Sequence, residues 1–335
     1  MSITLPPSYE SHPTTHIKLS HHPPNTPSPT PVIIITLNRP DKRNAFTSTM
    51  AQELEWAFTT LDRDPRVKVI ILTGSGDTFC AGADLEIGFS VGEKGKEKLN
   101  LRDYRDSGGR VALSIHRCRK PTIAAMQGSA VGVGMTMTLP AAIRHVPPLP
   151  QLHTIPNIIL LTTMVYRIAH TPSKYGFVFA RRGITMESCS SYLLPRLIGY
   201  SRAMYLVSTG AVYPPTSPHF GGLFAETFPT KEGVVKRAVE LASEMAQLVS
   251  PMAGALNRAL MWRAPASVEE AHLIESRVLG HMFASEDQKE GVGAFFEKRK
   301  PEFKCDLDVD GPGNYPWWAE VDIDPRGEVE NKSKL

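Results

Sequence analysis

Cysteine is scarce. The four present among 335 residues, Cys80, Cys118, Cys189 and Cys305, lie far apart and form no C-x-x-C pair. That spacing argues against a disulfide framework and a structural zinc site, and it fits a reducing compartment. Charge of one sign is also lacking: the formal net charge is +3, with Lys and Arg dispersed along the chain. Neither nucleic acid nor an anionic membrane surface is implied as a partner. No apolar run approaches the roughly 20 residues that span a bilayer; the longest, 158–165, carries two threonines. The histidines lack metal-ligand spacing or a paired carboxylate, so they are assigned packing or solvated roles and no metal is expected. What remains is a chain with 41% hydrophobic residues, enough to bury a core in one large domain or two.

The ends differ from the middle. Residues 1–30 are rich in Pro, Ser, Thr and His (HHPPNTPSPTP), a composition expected to leave a disordered tail, because too little apolar surface is available to offset ordering entropy. With one acidic residue, Glu10, and no arginine, amphipathic period or apolar h-region, this segment reads as neither a transit peptide nor a secretory signal. The other end stops at Ser333-Lys334-Leu335 after a polar stretch. This is the tripeptide read by the peroxisomal import receptor, so a peroxisomal location is expected.

Between the tails, strand and helix alternate. Residues 32–37 and 67–72 are buried β-branched runs, and 49–61 has helical spacing between them. The series continues with a helix around 111–115, a strand at 122–126 and a helix beginning near Gly134, which predicts an α/β architecture. After about Thr230 the pattern turns to amphipathic helices at 234–248, 252–262 and 268–282. The expected layout is a core over 31–230, a helical segment over 231–304 and a tail over 305–335.

Five segments carry a resemblance: LNRPDKRNAF (37–46), FCAGADL (79–85), KPTIAAMQGSAVGVG (120–134), SSYLLPRLIG (190–199) and SEDQKEGVGAFFEKRKPEF (285–303). In order and spacing they are similar to the crotonase (enoyl-CoA hydratase/isomerase) superfamily. The resemblance implies a spiral of ββα units followed by a C-terminal helical trimerisation segment, trimers or dimers of trimers, and an acyl-CoA thioester substrate. Coenzyme A would be part of that substrate, with no separate cofactor.

The residues have the chemistry such an enzyme needs. Deprotonating a thioester at its α-carbon gives an enolate, whose oxygen requires preorganised N–H donors about 3 Å away. Small residues at Ala81, Gly82, Ala83 and Asp84 let backbone approach a ligand, and Gly132-Val133-Gly134 opens a helix whose amides favour negative charge. The resemblance makes the N–H groups of Ala83 and Val133 the donors and places Ala81 and Asp84 beside the coenzyme A portion. A dinucleotide site is excluded, since G-x-G-x-x-G would need glycine at Met137.

Family hydratases carry two glutamates where this chain has Thr136 and Phe179. Adding water needs one group to activate it and another to protonate carbon, so losing both carboxylates argues against an efficient hydratase. Glu187, in GITMESCSSY (183–192), resembles the single catalytic glutamate of peroxisomal Δ3,Δ2-enoyl-CoA isomerases. One carboxylate suffices for a 1,3-proton shift, and apolar neighbours should raise its pKa. The expected activity is therefore enoyl-CoA isomerisation. The alternatives are an enoyl-CoA hydratase or dehydratase, in β-oxidation or a dedicated pathway, and a noncatalytic acyl-CoA-binding subunit.

Other residues receive plainer readings. Ser190 and Ser191 lack a G-x-S-x-G elbow. Lys298, Arg299 and Lys300 read as a solvated helix end, although the resemblance also lets Phe295 and Lys298 reach coenzyme A bound to a neighbouring subunit. Trp317 and Trp318 could dock on the body or on a neighbour. Residues 145–167 interrupt the family pattern: four prolines oppose helix and central strand, and the apolar stretch 158–165 would be costly to expose. A lid or partner-binding loop is one reading. The preferred expectation is an in-frame untranslated segment retained in the sequence, with the pattern resuming at Ile168.

Overall fold

Alternate residues along the parallel strands face two different helical layers, and that alternation organises the chain. The computed structural model describes residues 4–87, 103–141 and 167–323. Among these residues the larger sheet has six strands, in the order β1 (Ile17–His22), β2 (Val32–Leu37), β3 (Val69–Gly74), β5 (Thr122–Met126), β7 (Arg167–His170) and β10 (Glu226–Phe228). From β2 to β10 the pairings are parallel. The smaller sheet runs β4 (Thr78–Cys80), β6 (Ser129–Val131), β8 (Tyr175–Gly176), β9 (Val212–Tyr213), parallel until the last pair.

The helices are α1 (Ser48–Arg63), α2 (Ser107–Arg117), α3 (Val133–Thr136), α4 (Ser190–Ile198), α5 (Tyr200–Thr209), α6 (Lys231–Leu248), α7 (Pro251–Trp262), α8 (Val268–Phe283), α9 (Glu286–Glu297) and α10 (Leu307–Asp310). The chain steps from large sheet to small sheet to helix three times, as β3-β4-α2, β5-β6-α3 and β7-β8-α4. This is the expected α/β spiral of ββα units.

Val69, Ile71, Ile123, Ala125 and Ile168 pack against Val234, Ala238, Leu241 and Met245, the apolar stripe of α6. Ile70, Leu72, Ala124, Met126 and Ala169 face the main core with Leu54, Phe58 and Leu61 of α1. Covering both faces explains why all six residues of β3 are buried. The helix starts are equally local. Thr47, Asp106, Thr230, Ser250, Ser267 and Ser285 each accept a backbone N–H three residues on, worth about 1 kcal/mol apiece.

The N-terminal expectation is corrected. Residues 4–30 are no disordered tail: β1 pairs antiparallel with β2 from Ile17↔Leu37 to His22↔Val32. Tyr9, Ile17 and Leu19 enter the core, at roughly 1.5–3 kcal/mol of burial each. The polar groups that suggested a tail find partners across the fold. Glu53 on α1 accepts from the amides of Thr15, His16 and Ile17 at 2.6, 2.8 and 3.0 Å. The Tyr9 hydroxyl donates to Asp64 at 2.9 Å. His21 is buried in β1, its Nε2 accepting from Tyr9 N, so its role is packing.

At the other end Trp317 docks on its own chain, donating Nε1–H to Arg263 O at 3.1 Å beside Met252, Leu256 and Val278. Trp318 lies 5.1 Å below the Arg263 guanidinium. The tripeptide at 333–335 lies outside the described residues.

Candidate active site

Three neighbouring strands of the small sheet end at one place. Beyond β4 comes the turn 81–84, beyond β6 comes α3, and beyond β8 the chain leads to Glu187. Gly82 has φ +90, and a side chain there would come within 3.1 Å of Val131 O, so the first two turns lie side by side. A Cβ on Gly134 would sit 2.5 Å from Cys80 O, which is why only glycine lets α3 rest on β4.

The two predicted donors are free to act. Phe46 N donates to Gly82 O and Asp84 N to Phe46 O, while Ala81 N donates to Arg43 O. Those bonds fix the turn and leave the Ala83 N–H without an acceptor among the described residues. Val133 opens α3, and its N–H is one of the groups that a helix start cannot pair. Asp84, expected beside coenzyme A, is tied within the protein: its carboxylate accepts from Arg39 Nη1 at 2.9 Å and from Glu86 N at 3.1 Å. The Arg39 guanidinium keeps it below the usual carboxylate range.

Glu187 is partly buried. Its Oε1 accepts from the Thr136 hydroxyl at 2.5 Å and its Oε2 from the Ser188 hydroxyl. Burial pushes its carboxyl above the ordinary glutamate range; the Ser188 and Thr136 hydroxyls oppose the rise, and the Asp106 charge adds to it. A Cβ on Gly108, in the first turn of α2, would lie 2.3 Å from Glu187 Oε2 and 3.1 Å from Val133 Cγ2. The bare α2 backbone therefore packs against both the carboxylate and the first residue of α3. Thr136 and Phe179 are both buried, so neither hydratase position supplies a carboxylate.

Ser190 donates to Glu187 O at 2.5 Å and serves the turn. Burial raises the pKa of the Cys189 thiol first, then the charges of Asp106 and Glu187. Sequence reasoning missed Asp106, Gly108 and Ser188. The D-S-G-G of 106–109 carries a helix-capping signal, but nothing in it points to a turn 80 residues downstream.

The model of the enoyl-CoA hydratase/isomerase family matches residues 28–148 and 159–306. This chain belongs to the enoyl-CoA hydratase/isomerase family. It is thus an acyl-CoA enzyme of that family. Enoyl-CoA hydratase AFT3-1 of Alternaria alternata is 44% identical over 273 residues, 82% of this chain and 83% of the relative. Mevalonyl-coenzyme A hydratase SIDH of Beauveria bassiana is 28% identical over 285 residues, covering 82% and 91%. Among solved structures, an enoyl-CoA hydratase from Bacillus anthracis superimposes with a TM-score of 0.68 at 25% identity, covering 87% of this chain and 99% of that one.

The family match leaves out 149–158, inside the segment expected to be an insertion. Residues 142–166 lie outside the described part. Arg167, the last residue of the expected insertion, belongs to β7, pairs with Ala124, and donates to Leu223 O at 2.7 Å and Thr138 O at 3.1 Å. Phe295 and Lys298 are not brought to Glu187 within the chain. Phe295 is exposed beside Phe296, and Lys298 ends α9 in a left-handed turn. Of the basic cluster, Arg299 is engaged by Glu290 and Glu297.

Proposed function

We propose that this enzyme is an enoyl-CoA isomerase in which Glu187 moves a proton along a thioester enolate. One observation carries the reading: the partly buried Glu187 carboxyl, held by Thr136 and Ser188, lies where the hydratase glutamates are replaced by Thr136 and Phe179. On a 3-enoyl-CoA, Glu187 takes a proton from C2. The electron pair spreads through the thioester to its oxygen, which the amides of Ala83 and Val133 receive. Glu187, now protonated, returns the proton to C4, and the double bond is left between C2 and C3. A pKa raised by burial suits a group that acts as base and then as acid. No cofactor beyond the coenzyme A of the substrate takes part.

A second reading, hydration of a 2-enoyl-CoA, is favoured by the name of the Alternaria relative. Purified protein incubated with 3-enoyl-CoA and with 2-enoyl-CoA separates them. Double-bond migration without a hydroxyacyl product supports the first; a 3-hydroxyacyl product from 2-enoyl-CoA supports the second. In either case Glu187→Gln should lower turnover by roughly 10²- to 10⁴-fold with acyl-CoA binding kept.

Two further parts of the reading rest on less. Exposed Leu273, Leu279 and Phe283 of α8, with Val292, Phe295 and Phe296 of α9, would be costly to leave in water. They support assembly as a trimer or hexamer, in which Phe295 and Lys298 reach a neighbour's coenzyme A; light scattering would read the state. The terminal Ser333-Lys334-Leu335 supports a peroxisomal address through the import receptor. A tagged chain lacking Leu335 should remain cytosolic, and import of that chain would remove the assignment.

A further inference from the structure

Asp106 lies outside every segment that carries the family resemblance, and the proton transfer above does not use it. It stands at the N-cap of α2, where Oδ2 accepts from Gly109 N at 2.5 Å. The same oxygen accepts from Ser188 N at 3.2 Å, joining positions 82 residues apart. Ser188 and the next residue, Cys189, both occupy the left-handed region, with φ 54 and φ 57. A residue other than glycine is strained there, so the turn persists only where its surroundings hold it. Asp106 is one such hold, and it acts on the residue directly after Glu187.

The charge on Asp106 has little competition. From α3 Glu187 meets the Thr136 hydroxyl, and from its own turn the Ser188 hydroxyl. From β4 it faces the Cys80 thiol, pushed up to about 12 by burial, and from the start of α4 the Cys189 thiol, also raised. Among the described residues Asp106 is the charged side chain acting on Glu187.

We propose that Asp106 is a positioning residue for Glu187: its carboxylate ties the Ser188 amide to the first turn of α2 and sets a negative charge beside the turn that carries Glu187. The proposal rests on Glu187 as the base. It gives the first turn of α2 a part in holding Glu187.

The test uses the full chain with Asp106→Asn and Asp106→Ala. Asparagine caps a helix as well as aspartate and still offers an oxygen to both amides, so only the charge is lost. Ionised Glu187 is the active base, and removing a neighbouring negative charge makes it easier to ionise. The acid limb of kcat/KM for 3-enoyl-CoA should therefore move to lower pH in Asp106→Asn, with unchanged thermal stability. Asp106→Ala also releases the turn and should lower turnover by roughly 10²-fold, the loss expected of a base misplaced by about 1 Å.

A purely structural Asp106 would lower stability and leave the limb where it was; that outcome overturns the proposal. Carboxyl protonation of Glu187, followed by difference infrared spectroscopy with Glu187→Gln as the blank, provides a substrate-free reading. A lower midpoint in Asp106→Asn with no turnover on either enoyl-CoA would sink the proposed function and keep this inference. Glu187-dependent turnover with an unmoved midpoint would do the reverse.

Discussion

Gly108→Ala adds one methyl group above the carboxylate taken to be the base. An ideal Cβ there would lie 2.3 Å from Glu187 Oε2 and from Ser188 Oγ, where ordinary contact begins at 3.4 Å. Both clashing atoms end side chains, so the fold yields by moving the carboxylate about 1 Å, the scale on which misplacement costs roughly 10²-fold in rate. Glu187 cannot absorb this by a small swing, because its other oxygen is held by Thr136 at 2.5 Å. Turnover should fall by about two decades, near 3 kcal/mol in barrier. Stability should hardly suffer, since alanine is favoured over glycine inside a helix by about 1 kcal/mol. The assay is kcat for 3-enoyl-CoA conversion, with circular dichroism and acyl-CoA binding as controls for fold and site. A well-folded Gly108→Ala protein with wild-type turnover would refute the placement of the working carboxylate beneath α2.

Val133→Pro removes the amide assigned to the oxyanion at the first helical position, where proline is tolerated. Turnover should drop by about 3 kcal/mol in barrier, and undiminished kcat would rule the amide out. The raised pKa of Glu187 also has a stability consequence. Because the folded value lies above the unfolded one, stability is greatest below the unfolded pKa, falls as pH rises through the folded pKa, and then levels off. Wild type should gain stability relative to Glu187→Gln as pH is lowered from 8 toward about 4; parallel melting curves at every pH would contradict the burial argument. At the N-terminus, Tyr9→Ala should destabilise by about 3–5 kcal/mol. Tyr9→Phe, which removes only the bond to Asp64, should cost about 1 kcal/mol. Urea unfolding reads both, and no loss in Tyr9→Ala would mean that the segment before β1 does not contribute to the core.

Where the chain speaks through short-range pattern, the sequence by itself determined the outcome. The runs 32–37 and 122–126 coincide with β2 and β5. The expected helices 234–248, 252–262 and 268–282 fall within α6, α7 and α8, which begin at Thr230, Ser250 and Ser267 caps. Apolar spacing and a capping residue act over a few positions, so both can be read locally. Glu187 was singled out as a candidate for a related reason, because its short segment resembles a family motif. The N-terminal strand was not legible. Its composition is that of a tail, and the partners that order it, Glu53, Asp64 and the edge of β2, are distant in sequence. Asp106 and Gly108 were hidden in the same way. They matter because α2 crosses the left-handed turn at Ser188, a juxtaposition made by the winding of two sheets. The residue types needed for chemistry were written in the chain, whereas the neighbours that hold and tune the carboxylate were decided only when distant segments packed together.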